Sequence, residues 1–518
     1  MRVPEACLSV FVVALTVTAC GPMPQPIDVV EATIAQIQDA VTEGRTTCRM
    51  VVQAYLDRIE AYDESTVNAI TVVNPNALAR ADEIDRAVAA GEELGPLFCV
   101  PMLVKDNFDT HDLPTTGGSI ALMGSLPPDD AFMVRRIREA DAVVIAKTNM
   151  AEWAFSARQT VSSSYDTTAN AYDLERVPAG SSGGTASGVA ASFSVAGLGS
   201  DTGNSIRGPS SHLALVGIRS TIGLTSRDGV IPLSFDRDIA GPMARTVLDD
   251  AKIFNVVSGY DPADPYTEAG RGRREADYTV GLEPNALQGA RIGVLRSLVD
   301  GEDTDTAVAR VFEQAVVDLA RLGAEIVDPF DFDVQEQLRR PGMFCRRFRY
   351  DMQVYLRSLG DAAPIKDVLE VLETGEYSPY VESSLRRSEH SPLDVHPAEA
   401  DPPCPDYLEN EGRQAYLSDL VDAMDEARVD AIIYPTWRNP PAHIDRALAE
   451  YRGDNSQLVA PATGMPAITV PMGFTYGNLP AGLQILARPY DELLLFKYAY
   501  AYEQGTHHRR PPDGFPAL

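Results

Sequence analysis

Apolar positions recur three and four residues apart over 30–43 (VEATIAQIQDAVTE) and 50–62 (MVVQAYLDRIEAY), the spacing that places them on one face of a helix. Residues 74–89 (NPNALARADEIDRAVA) predict a third helix, with Asn74 as its cap and Pro75 at its first position. The pattern then changes. Residues 98–104 form a continuous apolar run of the kind a buried strand shows, and 142–146 (AVVIA) repeat it after a helical stretch at 131–140. Strand alternating with helix predicts an α/β body with parallel strands. Residues 195–198, 230–232 and 239–243 are further short apolar pieces, and 247–258 read as a helix. The polar stretch 259–279 is a loop or boundary. Strands at 290–295 and 325–327 then flank a helix at 304–322. From 330 to 410 the periodicity weakens, and SEHSPLDVHPAEADPPCP reads as a long excursion, which on α/β enzymes is often a lid or a binding wall. Regularity returns with a helix at 410–427, strands at 431–434, 468–471 and 483–487, and a last helix at 493–503. No internal repeat interrupts the order.

The 518 residues, 45% hydrophobic, supply ample material for a large core. Length alone permits about three domains, yet α/β enzymes of this size also fold as one body. The net charge of −30 argues against nucleic acid as a partner, because phosphate binding needs clustered Lys and Arg. At the N-terminus Arg2 precedes an apolar run of 12 residues, 8–19, too short to span a bilayer and suited to a signal-peptide core. Glu5 dilutes the usual positive start. The run ends Val17-Thr18-Ala19-Cys20-Gly21, which resembles the bacterial lipobox, where cleavage before the Cys leaves it lipidated. That resemblance implies a signal peptide at 1–19, a lipidated Cys20 on a GPMPQP tether at 20–29, and an exported protein of the cell envelope. Membrane contact is then through the anchor alone, and a plain signal peptide cut nearby is the alternative. Cys7 leaves with the signal. Cys48, Cys99, Cys345 and Cys404 remain, an even number for an oxidising compartment, with three possible connectivities. Pairs Cys48–Cys99 and Cys345–Cys404 are expected, since each falls within one sequence region. No CxxC or HExxH spacing calls for a metal.

The chemistry concentrates in GSSGGTASGVAASFSVAGLGSDTGNSIRGP, residues 180–209. Two glycine-bearing turns flank a packed run of small residues and can bring their serines together. Glycine admits backbone conformations closed to other residues and lets backbone N–H groups approach a substrate. Two surface loops around a small-residue helix are the plainer reading. Lys105 directly follows the apolar run at 98–104. Either it pairs at the surface with Asp106 or Asp109, or burial lowers its pKa and makes it a usable base.

That run of 30 residues resembles the signature of the amidase signature family of serine hydrolases. PMLVKDNFDT, KTNMAEWA, RDIAGPMARTVLDDA, DAIIYPT, GMPAITVPMGF and YAYEQGTHHRRPP resemble the family's other blocks, in its order. The likeness is strong over 30–260 and 428–512 and weak between. It implies a single domain over 30–518, with a variable excursion at 330–425, built on a large twisted mixed sheet flanked by helices on both sides. It also implies a Ser–cis-Ser–Lys triad: Lys105 as base, Ser181 as bridge and Ser205 as nucleophile, the serines 24 residues apart. The family places a cis peptide before the bridging serine, here Gly180–Ser181, in a turn that Gly183 and Gly184 make possible. Backbone N–H groups of Thr202, Gly203 and Asn204 would form the oxyanion hole. Asp201 and Arg207 would brace the loop, or form a simple salt bridge. The implied reaction cleaves a small-molecule amide, with no metal or organic cofactor. Two departures stand out. Gly203-Asn204 replaces the usual Gly-Gly, which Asn's tolerance of unusual backbone angles can accommodate while narrowing substrate approach. Phe98-Cys99 replaces a frequent His-Gly.

Three rival readings follow from the same residues. Residues 180–184 also fit G-x-S-x-G, which in an α/β-hydrolase-type esterase makes Ser182 the nucleophile, but LERVPA before it is a poor strand. The later histidines, His390, His396, His443, His507 and His508, read as surface residues. Within the family a tRNA-dependent amidotransferase subunit is possible, though export and acidity oppose it. A lipid-anchored binding protein with a decayed site is the third, opposed by three intact triad positions.

Overall fold

The computed structural model describes residues 23–518, so the predicted signal peptide, Cys7 and Cys20 lie outside the described residues. The described chain forms strands β1 (Ile70–Val73), β2 (Pro101–Lys105), β3 (Val143–Thr148), β4 (Val161–Ser162), β5 (Asp166–Thr167) and β6 (Ala196–Asp201) in its first part. It continues with β7 (Val216–Arg219), β8 (Ile239–Ala244), β9 (Arg291–Val294), β10 (Glu325–Val327), β11 (Ala431–Pro435), β12 (Ala467–Thr475) and β13 (Leu479–Ala487). Eleven of them make one sheet in the order β1-β3-β2-β6-β8-β7-β12-β13-β11-β9-β10, and β4 and β5 pair apart from it. The expected parallel pairing holds in β3–β2–β6 and in β10–β9–β11. The strands between those groups, and β1 at the edge, pair antiparallel, so the sheet is mixed. Every residue of β2, β3, β6 and β8 is buried under helices on both faces, the apolar positions and also Lys105, Lys147, Thr148, Ser200 and Asp201 at the strand ends.

Two sequence expectations shift. The third helix runs Ala77–Ala90 and takes Asn76 as its cap, two residues later than expected. Asn74 is occupied elsewhere: its Oδ1 accepts the Asn76 N–H at 2.9 Å and its Nδ2 donates to Val144 O at 2.7 Å, tying the turn to β3. The apolar piece 230–232 makes no strand; Val230 forms one isolated bridge with Phe108.

The excursion is folded. Helices Phe348–Ser358, Glu370–Thr374 and Glu382–Ser388 bury Met352, Leu356, Val371 and Leu385 against Leu122, Trp153 and Ile231 of the main body. Disulfides join Cys48 to Cys99 and Cys345 to Cys404, with Cα atoms 5.4 and 5.6 Å apart, the pairing expected from the sequence. Among the described residues no helix is long and apolar enough to cross a membrane.

This topology sets the site. β2 and β6 run parallel side by side, Val104 opposite Leu198, so their carboxyl ends at Lys105 and Asp201 open on the same edge. Ligands of open α/β sheets gather at such strand ends. The chain leaves β6 through residues 202–206 into the helix Arg207–His212.

Candidate active site

Lys105 closes β2 with no exposed surface. Its Nζ donates to Ser181 Oγ and Ser200 Oγ, both at 2.8 Å, and to Ser200 O at 3.4 Å. Asn107 Nδ2 adds a second donor to Ser200 Oγ at 2.9 Å, which fixes that hydroxyl. The surface pairing with Asp106 or Asp109 does not form. Asp106 takes the Thr116 hydroxyl and lies 3.8 Å from Lys147, and Asp109 accepts from Tyr355 OH at 2.8 Å. Burial lowers the Lys105 pKa to about 7, against the upward pull of Asp201 and Asp238.

Ser181 is buried behind a cis Gly180–Ser181 peptide. The glycines here are needed for space rather than for left-handed backbone, since Gly180, Gly183 and Gly184 all have ordinary φ. A Cβ on Gly180 would press into the carbonyl oxygens of Ser156 and Gln159. One on Gly183 would strike Thr160 and Pro178, and one on Gly184 would sit 2.7 Å from Asn149 N.

Ser205 is 4% exposed, and its Oγ donates to Asn204 Oδ1 at 3.3 Å. Among the described residues it makes no hydrogen bond to Ser181. Lys105 and Ser181 are therefore joined, and the second link of the expected chain, Ser181 to Ser205, is not made. The backbone N–H groups of Thr202, Gly203, Asn204 and Ser205 find no protein acceptor among the described residues, whereas Ile206 and Arg207 donate theirs to Asp201 Oδ2 at 3.2 and 3.4 Å. A row of unused donors before a hydroxyl is what a developing oxyanion needs. Asn204 keeps φ out of the left-handed region, so its tolerance of unusual angles is not called on. Its Nδ2 instead holds Ala157 O at 3.2 Å.

Asp201 braces this loop. Arg207 grips it through Nε at 3.0 Å and Nη2 at 3.1 Å and reaches on to Gly203 O at 2.7 Å. Arg219 of β7 adds a second ion pair at 3.0 Å. Burial alone would raise the Asp201 pKa, but Arg207 and Arg219 outweigh it and hold the carboxyl down at about 2. The pair is thus a three-member network, more than a simple salt bridge. Ser200, inside the signature stretch but given no role there, joins the site, as do Arg219 and Gln484, which accepts from Arg207 at 3.0 Å and, like Arg219, lies outside the quoted motifs. Arg219 does carry a signal, a charge inside the apolar segment VGIR.

Ser182 departs from a nucleophile elbow. It is fully buried with no strand before it, and its Oγ donates to Ser200 O at 3.2 Å and accepts Ser200 N at 3.4 Å. His390 and His507 are exposed, and His396, His443 and His508 are half-buried. Among the described residues one group of His and carboxylates could share a cation, His111, Asp112 and Asp130, and Arg138 already pairs with both aspartates at 2.6 and 3.1 Å.

A cavity of about 310 Å³ opens over Ser205 and residues 202–204. Its far wall comes from the excursion, including Phe344, the Cys345 half of a disulfide, Phe348 and Ser388. The segment least legible in the sequence therefore shapes the pocket.

Residues 50–496 match the profile of the Amidase family. A glutamyl-tRNA(Gln) amidotransferase subunit of Cyanothece sp. is 32% identical over 500 residues, covering 93% of this chain and 99% of its own. The solved peptide amidase of Stenotrophomonas maltophilia superposes with a TM-score of 0.81 at 34% identity, over 93% of this chain and 98% of that one. The corresponding glutamyl-tRNA(Gln) amidotransferase subunit of Thermotoga maritima superposes with a TM-score of 0.70 at 28% identity, over 96% and 99%.

Proposed function

The chain belongs to the amidase signature family, enzymes acting on amide carbon–nitrogen bonds, and on that premise we propose that it hydrolyses amides through an acyl-enzyme on Ser205. Ser205 Oγ attacks the carbonyl carbon while its proton passes by way of Ser181 to the neutral amine of Lys105. The oxyanion is met by N–H groups of residues 202–204. The same proton returns to the leaving nitrogen, the C–N bond breaks, and ammonia or an amine departs. Water then attacks the ester, its proton passing by way of Ser181 to Lys105 and from there to Ser205 Oγ as the C–O bond breaks and the acid leaves. The scheme calls on no metal or organic cofactor. The observation that carries it is a fully buried amine, held near neutrality, 2.8 Å from the Ser181 hydroxyl.

A free-standing hydrolase and an amidotransferase subunit share this chemistry. The likeness to a peptide amidase, at a higher TM-score than the amidotransferase protein, supports the former. The purified chain alone is expected to release ammonia from a peptide amide, and a fluorophosphonate is expected to label Ser205 on peptide mapping. Label on Ser182, or ammonia only in the presence of partner subunits, would reject the reading.

We further propose export, with lipid attached at Cys20. Two disulfides support an oxidising compartment, since such bridges rarely persist in the cytosol. Cys20→Ser is expected to move the protein from the membrane fraction into the soluble one. Equal membrane retention of both forms would remove the anchor.

A further inference from the structure

The cavity over Ser205 is charged opposite to the chain around it. The sequence holds 74 acidic and 44 basic residues, yet the cavity is lined by Arg237, Arg346, Arg347 and Arg387 and by no Asp or Glu. Arg347 is already neutralised by Asp351 at 2.7 Å and Asp406 at 2.9 Å. Among the described residues the other three have no carboxylate within 4.0 Å. The nearest acids in sequence are committed. Asp236 binds Arg413 at 2.8 Å, and Asp238 takes the Thr202 hydroxyl and the N–H groups of Leu233 and Ser234.

Arg237 is the telling residue. It is 6% exposed, and its Nη1 donates to Met343 O at 2.9 Å while its guanidinium lies 4.7 Å from the Phe344 ring centre. Burial first, and then the neighbouring Arg413, pull its pKa down to about 9, against the upward pull of Asp236 and Asp238. A buried guanidinium that touches a carbonyl and an aromatic ring but no carboxylate has room to take an anion from the cavity. Arg346 and Arg387 stand exposed at the rim, where they extend the positive field toward solvent. Beside them Phe155 and Phe348, 4.5 Å apart edge to face, offer an apolar wall.

Resting on the amide-hydrolysing reading above, we propose that the substrate is an amide that also carries a carboxylate. Arg237 receives the carboxylate through its planar fork, Arg346 and Arg387 draw the anion in, the carbon body lies on the aromatic wall, and the scissile carbonyl reaches Ser205.

The test compares N-succinyl-, N-acetyl- and N-β-alanyl-phenylalaninamide, which share one scissile bond and differ in charge. A hydrogen-bonded charge pair predicts kcat/KM for the succinyl amide about 10- to 100-fold above the acetyl one, with the β-alanyl amide lowest. Arg237→Met is expected to bring the succinyl-to-acetyl ratio close to one, and Arg237→Lys to keep part of it. Arg387→Gln, at an exposed position, keeps the test available if Arg237→Met does not fold, and lowers the ratio by a smaller factor that shrinks with added salt. Equal kcat/KM for the three amides, or a ratio indifferent to both positions, overturns the anion reading and leaves the Ser205 chemistry standing. Full turnover by Ser205→Ala would overturn the chemistry instead.

Discussion

Ser205→Ala is expected to lower kcat/KM for amide hydrolysis by about 10⁴- to 10⁶-fold, the range seen when the nucleophile of a concerted serine site is removed. The fold should barely register the change. Among the described residues Ser205 Oγ has a single hydrogen bond, 3.3 Å to the side chain next to it, so its loss costs about 1 kcal/mol or less. The unused N–H groups of residues 202–204 and the cavity remain, which leaves some acceleration over water and makes substrate binding measurable in the variant. Ser182→Ala gives the contrasting result. Its hydroxyl serves the backbone of Ser200 in both directions, so deletion costs about 1–3 kcal/mol of stability while turnover per folded molecule is retained. Ammonia release and urea unfolding on both variants separate the outcomes. Near-normal turnover by Ser205→Ala, or its abolition in a folded Ser182→Ala, would reverse the assignment.

The reach of sequence reasoning differs between the site and its surroundings for physical reasons. Lys105 stands out in the sequence because a lysine at the end of an apolar run is costly if buried, but it was the family resemblance that chose the base over a surface pair. Ser181 and Ser205 are legible through the resemblance to the family's signature, and the glycines beside Ser181 prove to be needed for space against Ser156, Gln159, Thr160 and Asn149 rather than for φ. The mixed sheet was not legible from the apolar runs themselves, because the antiparallel β8 and β13 are as continuously buried as the parallel β2 and β3. β7 was missed because four residues carry no period, and with it went Arg219, the second clamp on Asp201. The excursion was opaque because its short helices have apolar faces only in relation to Trp153 and Ile231, more than 100 positions away in the chain.

Lys105→Ala is expected to lower kcat by about 10²- to 10⁴-fold at neutral pH, the usual contribution of a positioned general base. Its clearest signature is the pH profile. The amine accepts a proton only when neutral, and it titrates near 7, so wild-type kcat/KM should fall about tenfold per unit below pH 7 and level off above it. The variant should lose that limb, and Lys105→Arg should stay inactive throughout, since a guanidinium remains charged. Stability carries the same signature. The folded chain releases this proton near pH 7, while the unfolded chain holds it to the ordinary value of 10.5. Between those values the unfolded state binds more protons, so wild-type stability should rise with pH across that window. Lys105→Met lacks the group, and the difference in Tm between the two proteins should therefore change in the wild type's favour from pH 7 to 10. A Lys105→Ala profile that keeps the acid limb, or a Tm difference flat in pH, would show that this amine is charged in the fold and is not the base.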